Sequence, residues 1–227
     1  MPRHDLIAES TTPDGEALTL TFEGGEHVVR VRGELLMSSR QTGSEQAMAR
    51  LAFKDRIAPE PAQLLVAGLG MGFTLRALLD QVGASAQIEL IELLGDVVTW
   101  NRGPLAGYAN HPLNDPRVQV TVSGLLDYLA ITRLAFDAIL IDIDNGPEAF
   151  TVATNERVYA PAGLAALRNA LVVGGVLVLW SAFKSPRFEQ SLRQARFAAH
   201  SETVRARGQI AKGARHTLFV ATRTPGG

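Results

Sequence analysis

The feature that most constrains the fold of this chain is an alternation, from residue 63 onward, of short apolar runs with segments of helical periodicity. The apolar runs occupy residues 64–67, 87–92, 118–122, 136–142 and 175–180. Segments with helical spacing of apolar residues lie between them, at residues 73–82, 96–102, 125–130 and 163–171. Strands joined through helices pair in parallel, because a parallel connection must cross over the sheet. The alternation therefore predicts a Rossmann-like, doubly wound α/β fold with a mostly parallel sheet.

Patterns at the two ends complete the predicted architecture. A last helix is predicted over residues 186–199, and a hairpin of residues 203–209 and 217–222 brings the sheet to seven strands. Near the start, residues 18–22, 28–31 and 35–37 alternate around glycine-containing turns, which predicts an antiparallel β-meander. A helix over residues 41–58 follows, ended by Pro59 and Pro61. We expect residues 1–42 to form the meander and residues 43–227 a Rossmann-like catalytic domain.

The composition excludes several kinds of site. The chain has no cysteine, which excludes disulfides, thiolate zinc sites and cysteine nucleophiles. Its five histidines are scattered without ligand spacing, so no metal site is predicted. Its longest apolar run, residues 171–180, is shorter than the roughly 20 residues that span a bilayer, and its first residues lack a signal-peptide pattern. We expect a cytoplasmic protein without a membrane partner, and the sequence leaves a homodimer open.

Charge is distributed unevenly along the chain. The net charge is −1, but residues 184–227 carry nine Lys or Arg against two acids, and the remainder carries 13 basic and 21 acidic residues. A basic end is suited to nucleic acid, whereas an acidic middle is suited to a cationic small-molecule substrate such as an amine. The alternative is that both are ordinary solvated faces, so a nucleic-acid partner is not favoured.

A glycine turn follows the first predicted parallel strand. Its sequence is Gly68-Leu-Gly-Met-Gly72, and Glu92 ends the next strand 20 residues later. Glycines allow a ligand to approach the backbone closely, and a carboxylate at that strand end can accept both hydroxyls of a ribose. The spacing Gly68, Gly70, Gly72 differs from the dinucleotide pattern Gly-x-Gly-x-x-Gly, so NAD(P) fits less well. The arrangement predicts a nucleoside site.

Two carboxylates end the fourth predicted strand. Asp142 closes the apolar run of residues 136–142, and Asp144 lies in the turn that follows. A carboxylate at this position can hold a cationic amine and accept its proton as the nitrogen attacks. The alternative is that they cap a helix or accept backbone amides. We predict catalysis by Asp142, with Asp144 as the weaker candidate.

In this order the pieces resemble the spermidine synthase family of aminopropyltransferases and its methyltransferase-like relatives, over about residues 28–180. Besides the glycine turn, the motifs are Gln41-Thr-Gly-Ser-Glu45, Glu92-Leu93, Asp96-Val-Val-Thr-Trp-Asn-Arg102, Asp115-Pro-Arg-Val118, and Phe136-Asp-Ala-Ile-Leu-Ile-Asp142 with Gly146-Pro147 after it. The resemblance implies that Gln41 helps to hold the nucleoside, that Glu92 binds ribose with Leu93 beside it, and that Asp142 is the base.

Three departures from the family pattern affect the amine pocket more than the nucleoside site. Where the family has Asp-Glu-x-x-Tyr-His-Glu, this chain has Ser44-Glu-Gln-Ala-Met-Ala-Arg50, without the tyrosine, the histidine and the last acid. Where the family has Asp-Gly or Asp-Ala to read adenine, it has Ser123-Gly124, which can hydrogen-bond adenine without a charge. The loop after Asp142 is shorter than the family's Asp-Pro-x-Gly-Pro.

Three functions are compatible with these residues. The absent amine-pocket residues favour a methyltransferase that uses S-adenosyl-L-methionine on a spermidine-synthase-like scaffold, with an unknown acceptor. The acidic middle segment favours an aminopropyltransferase that uses decarboxylated S-adenosylmethionine and an amine. The third function is a non-enzymatic protein that binds a nucleoside or a polyanion.

Overall fold

Two β-sheets organise the computed structural model, which describes residues 5–40, 42–54, 57–143, 146, 153–206 and 214–226. The first sheet contains β1 (Asp5–Thr11), β2 (Ala17–Glu23), β3 (Glu26–Val31) and β4 (Glu34–Ser38). The elements that follow are α1 (Gly43–Ala52), β5 (Gln63–Ala67), α2 (Phe73–Leu79), β6 (Gln87–Glu92), α3 (Gly95–Arg102), β7 (Val118–Val122), α4 (Leu125–Ile131), β8 (Phe136–Ile141), α5 (Ala153–Tyr159), α6 (Pro161–Ala170), β9 (Leu171–Ser181), α7 (Pro186–Gln194), β10 (Phe197–Arg205) and β11 (Arg215–Arg223).

The large sheet confirms the predicted α/β fold. Its strand order is β10-β11-β9-β8-β5-β6-β7. Strands β5 to β9 pair in parallel, whereas β11 is antiparallel to both of its neighbours, β9 and β10. Helices cover both faces, so the central strands are apolar along their whole length rather than alternating. That property made them recognisable in the sequence.

The small sheet is an antiparallel meander of four strands in sequential order. The three strands predicted from the sequence correspond to β2, β3 and β4. Strand β1 was not predicted, because most of its side chains are exposed, including the apolar Leu6 and Ile7, and no buried face imposes an alternation. The meander ends at Ser38 and α1 begins at Gly43, so the predicted boundary at residue 42 lies between them.

Two helix predictions were too long. The helix predicted over residues 186–199 ends at Gln194, and residues 197–205 form β10 instead. Arg196 takes a positive φ of 65° between the two elements, and Phe197 is buried where β10 begins. The hairpin predicted from residues 203–209 and 217–222 corresponds to the pairing of β10 with β11, but helical periodicity does not reveal that this pairing begins at residue 197. The helix predicted over residues 41–58 is shorter, Gly43–Ala52, and α5 was not predicted.

The hydrophobic core joins the two sheets. Leu18, Leu20 and Val29 of the meander belong to the same buried cluster as Leu64 and Leu90 of the large sheet. A second cluster, which includes Ile139 and Leu167, lies between the other face of that sheet and its helices. The meander is thereby packed against the large sheet. No helix in the described ranges has the length and apolar character needed to cross a bilayer.

Candidate functional site

The candidate site lies where the order of strands in the large sheet reverses. From β5 the chain continues outward through β6 and β7, then returns to the other side of β5 as β8. Open α/β sheets bind ligands in the crevice at such a point, beyond the carboxyl ends of the strands. Gly68 directly follows β5 and Asp142 directly follows β8, and the amide of Asp142 donates to the carbonyl of Ala67 at 2.8 Å. The glycine turn and the predicted base therefore flank the same crevice.

A cavity of about 480 Å³ occupies this crevice. The carboxyl ends of β5, β6 and β8 form its floor, the meander from Val31 to Ser38 forms one wall, and α1, β9 and β11 contribute Glu45, Trp180 and His216. Pockets for small ligands have volumes of this order. The cavity is therefore large enough for a nucleoside with a second small molecule beside it.

The glycine turn has the backbone that its sequence predicts. Gly68, Gly70 and Gly72 all have positive φ, of 88°, 53° and 81°. A Cβ on Gly68 would lie 2.0 Å from the carbonyl oxygen of Asp142, so only glycine allows β5 and β8 to approach this closely. Asn101 supports the turn from α3, since its side-chain amide donates to the carbonyl of Gly70 at 2.8 Å.

Glu92 connects the glycine turn to the end of β6. It is 8% exposed, and its two carboxylate oxygens accept from the amides of Leu69 at 2.8 Å and Leu94 at 2.9 Å. Burial raises the pKa of Glu92, the backbone amides oppose that shift, and the negative charge of Asp142 adds to it. A carboxylate oxygen accepts more than one hydrogen bond. Glu92 can therefore hold the turn and still accept from ribose hydroxyls.

Asp142 lies at the carboxyl end of the most central pair of strands. Its Oδ2 accepts from the hydroxyl of Thr74 in α2 at 2.8 Å. Burial raises the pKa of Asp142, and the Thr74 hydrogen bond opposes that shift. A raised pKa brings a carboxylate nearer to the range in which it both accepts and releases a proton at neutral pH.

Glu45, in the first turn of α1, is a site residue that the sequence analysis did not single out. Its carboxylate lines the cavity together with Asp142. Burial and the charge of Asp142 raise the pKa of Glu45 to about 8. The available signal was its position in the stretch that resembles the family's first helix. The interpretation of that stretch considered only the family residues that are absent from it.

Other residues of the cavity wall come from elements with no recognisable motif. Trp180 ends β9, His216 begins β11, and Asn155 of α5 is 7% exposed. The rings of Trp180 and His216 meet edge to face, with centroids 4.5 Å apart. Because these residues are far apart in the chain, only the folded sheet brings them to one wall.

The structure brings together most of the predicted site residues that it describes. The cavity is lined by Gly68, Gly70, Glu92, Leu93, Ser123 and Asp142. Gly72 lies just behind the wall at the start of α2, near Pro112 and Ala109, and Gly124 precedes α4. Gln41 and Asp144 lie outside the described residues, so their predicted roles remain predictions.

Curated proteins similar to this chain carry one name. A polyamine aminopropyltransferase from Pyrobaculum neutrophilum is 29% identical over 123 residues, which cover 53% of this chain and 41% of that protein. A polyamine aminopropyltransferase from Synechococcus sp. is 34% identical over 100 residues, which cover 42% of this chain and 31% of that protein. The matches thus span less than half the length of these relatives. No family model matches the chain.

Solved structures show the same fold over nearly the whole chain. A spermidine synthase in complex with the transition-state analogue AdoDATO has a TM-score of 0.76 and 19% identity, covering 96% of this chain and 74% of that chain. Spermidine synthase from Thermotoga maritima has a TM-score of 0.74 and 18% identity, covering 96% of this chain and 73% of that chain. The chain is thus similar in sequence to polyamine aminopropyltransferases over about half its length, and it shares the fold of spermidine synthases over almost all of it.

Proposed function

We propose that this chain is an aminopropyltransferase that transfers the aminopropyl group of decarboxylated S-adenosylmethionine to an amine. The sequence analysis placed methyl transfer first and this activity second. The names of the curated relatives favour the second. Because those relatives are about two to three times longer than the matched stretches, the charges of the cavity carry the argument.

The observation that carries the proposal is the charge of the cavity wall. Asp142 and Glu45 bring two carboxyl groups to it. Among the described residues that line it, Arg32 is the sole Lys or Arg, and its guanidinium pairs with Glu16. Burial lowers the pKa of His216, which keeps that ring neutral. A methyl donor that keeps its carboxylate needs a cationic partner, whereas the positive charges of a decarboxylated donor and an amine acceptor favour ionisation of the Asp142 and Glu45 carboxyl groups and are attracted by the resulting carboxylates.

In this proposal each end of the cavity has its own task. Gly68, Gly70, Glu92 and Ser123 surround the nucleoside end, with the Glu92 carboxylate accepting from the ribose. Asp142 and Glu45 surround the acceptor end, where Asp142 holds the amine and takes its proton. The amine nitrogen then forms a C–N bond with the donor's methylene carbon, and the electron pair of the broken C–S bond stays on sulfur. Orientation of the two reactants supplies most of the rate.

Calorimetry with four nucleosides tests the proposal. The full chain is titrated with decarboxylated S-adenosylmethionine, S-adenosylmethionine, methylthioadenosine and NAD. We expect decarboxylated S-adenosylmethionine to bind at least tenfold more tightly than S-adenosylmethionine, and NAD not to bind. The best donor is then incubated with a set of diamines, and products are detected by mass spectrometry. Tighter binding of S-adenosylmethionine, followed by a methylated product, would replace this proposal with methyl transfer.

A further inference from the structure

A fully buried hydroxyl connects Glu45 to a histidine of β11 that lines the same cavity. Ser44 has no exposed surface, and its Oγ donates to Oε2 of Glu45 at 2.9 Å. The same Oγ lies 2.9 Å from Nδ1 of His216, which is 172 residues away in the chain and 8% exposed. A buried polar group without a partner costs about 1–3 kcal/mol. The hydrogen bonds among Glu45, Ser44 and His216 therefore hold the three side chains in place.

We propose that Ser44 and His216 form a hydrogen-bonded relay that orients Glu45 and exchanges its proton, which makes Glu45 the second acid–base carboxylate of the site. In this scheme Glu45 is the catalytic residue, because its carboxylate lines the cavity. Ser44 and His216 are positioning residues that act through it. The inference rests on the proposed function in one respect, which is that the proton received by Glu45 comes from the attacking amine.

The relay follows from counting hydrogens on Ser44. A serine hydroxyl has one hydrogen and can donate it in one direction at a time. When Glu45 is ionised, Ser44 donates to it, and Nδ1 of His216 must carry a hydrogen that it donates to Ser44. When Glu45 is protonated and donates to Ser44, the hydroxyl turns towards Nδ1, which must then be bare. The tautomer of His216 therefore follows the protonation state of Glu45.

The surroundings of Glu45 raise its pKa, so that the change in its protonation state occurs near pH 8. Burial and the charge of Asp142 raise the pKa of Glu45 to about 8. Burial lowers the pKa of His216, so the ring is neutral when Glu45 titrates. The charged and titratable groups that line the same cavity are Arg32, Glu34, Glu92, Asp142 and His216. On β10, which also packs against α1, Glu202 pairs with Lys54 at 2.9 Å.

The proposed reaction gives the relay a task. Transfer of an alkyl group from a sulfonium to an ammonium group releases one proton for each bond formed. Asp142 takes the proton from the attacking nitrogen, and a second carboxylate beside it can receive that proton before the next cycle. A proton accepted by Glu45 passes to Ser44 as the serine hydrogen moves to Nδ1, and the ring releases a hydrogen from Nε2. The histidine then has the tautomer with which the ionised Glu45 is paired.

The tautomer of His216 can be measured without any activity. Nitrogen NMR of the full chain with labelled histidine, between pH 6.5 and 9.5, distinguishes hydrogen on Nδ1 from hydrogen on Nε2. We expect His216 to change from the Nε2–H to the Nδ1–H tautomer with a midpoint near pH 8, and Ser44→Ala to abolish that change. His200, an exposed histidine next to Glu202, should give the same spectrum in both proteins. A single tautomer across the range, or the same change in Ser44→Ala, would disprove the relay.

Kinetics with decarboxylated S-adenosylmethionine and putrescine separate the relay from the proposed function. Ser44→Ala should lower kcat at least tenfold, leave the KM of the donor within twofold, and remove the pH dependence of kcat near pH 8. Ser191→Ala, which removes a hydroxyl bonded to the Arg187 carbonyl, is the matched control and should match the wild type. A tautomer change without transfer would refute the aminopropyltransferase and leave the relay standing. Transfer that is unaffected by Ser44→Ala would refute the relay alone.

Discussion

At the scale of single residues, the site depends on three carboxyl groups with different partners. Glu92 accepts from two backbone amides and so supports the glycine turn. Asp142 accepts from the Thr74 hydroxyl, and Glu45 accepts from the Ser44 hydroxyl. Burial raises the pKa of all three. The two backbone amides have a fixed donor geometry and suit Glu92 to binding. Asp142 and Glu45 each have a hydroxyl partner, which can turn when a proton is exchanged.

Replacing Asp142 with asparagine tests its role as the base. The variant keeps the shape and the Thr74 contact but cannot accept a proton. General acid–base catalysis contributes about 10²–10⁴-fold, so single-turnover rates should fall by that factor while donor affinity stays within a few fold. Asp127→Asn, an exposed acid on α4, is the control, and Asp144→Asn should cost much less than Asp142→Asn. Normal turnover of Asp142→Asn would remove it from the chemistry.

Replacing Glu92 with glutamine tests the ribose site. The amide keeps one acceptor but turns its NH₂ group towards a backbone amide or a ribose hydroxyl, so a charge-assisted bond is lost. Such a bond contributes about 1.5–3 kcal/mol, which corresponds to a loss of at least tenfold in nucleoside affinity. Calorimetry gives the affinity, and circular dichroism shows whether the fold is kept. Unchanged affinity in a folded variant would place the ribose elsewhere.

At the scale of elements, the approach of β5 to β8 positions Asp142, the proposed base, beside the glycine turn. Strand β5 lies between β6 and β8 in the large sheet, so the segments after β5, β6 and β8 meet at one edge. Residue 68 must be glycine for this approach, because its φ is 88° and its position allows no Cβ. The approach of these strands thus determines how close the glycine turn lies to Asp142.

The variant Gly68→Ala tests whether the close approach of β5 to β8 requires glycine at residue 68. The positive φ alone costs about 1–3 kcal/mol, and the contact of the new Cβ with the Asp142 carbonyl forces the two strands apart. We expect a lower midpoint in urea unfolding and the loss of nucleoside binding. Gly107→Ala is the matched control, since nothing lies within 4 Å of its added Cβ, and its stability should stay near that of the wild type. Equal midpoints for the two variants would contradict this account.

At the scale of the whole molecule, the raised carboxyl pKa values should make stability depend on pH. In the folded chain Glu45 keeps its proton up to about pH 8, whereas in the unfolded chain it ionises near its ordinary value of 4.5. The folded state is therefore stabilised at low pH by a bound proton, and this contribution is lost progressively between about pH 4.5 and pH 8. Raised pKa values of Asp142 and Glu92 act in the same direction.

Thermal unfolding at pH 5, 7 and 9 tests this dependence. We expect the melting temperature of the wild type to fall over this range, and Glu45→Gln, which is neutral throughout, to fall less and to be more stable than the wild type at pH 9. Gln46→Ala changes an exposed neighbour on the same helix and should follow the wild type. Parallel curves for the wild type and Glu45→Gln would show that Glu45 does not titrate in this range.

The sequence by itself determined the class of fold and the floor of the site. The apolar runs that form β5, β6, β8 and β9 are mostly buried, so their pattern depends little on which strands neighbour them. The glycine turn and Glu92 are local features of strand ends, and such ends meet at one edge of any parallel sheet. For that reason Gly68, Gly70, Glu92, Ser123 and Asp142 could be assigned to one cavity before the structure was known.

The tertiary structure alone decided the acceptor end and the edge of the sheet. Glu45, His216 and Trp180 come from three elements and share no local pattern, so only the packing of α1 against β9 and β11 brings them together. The start of β10, residues 197–199, was predicted as helix because its pairing with residues 221–223 of β11 is a long-range contact. The absence of a tyrosine and a histidine from α1 suggested a weakened amine pocket. The fold instead places a histidine from β11 behind that helix, at hydrogen-bonding distance from Ser44.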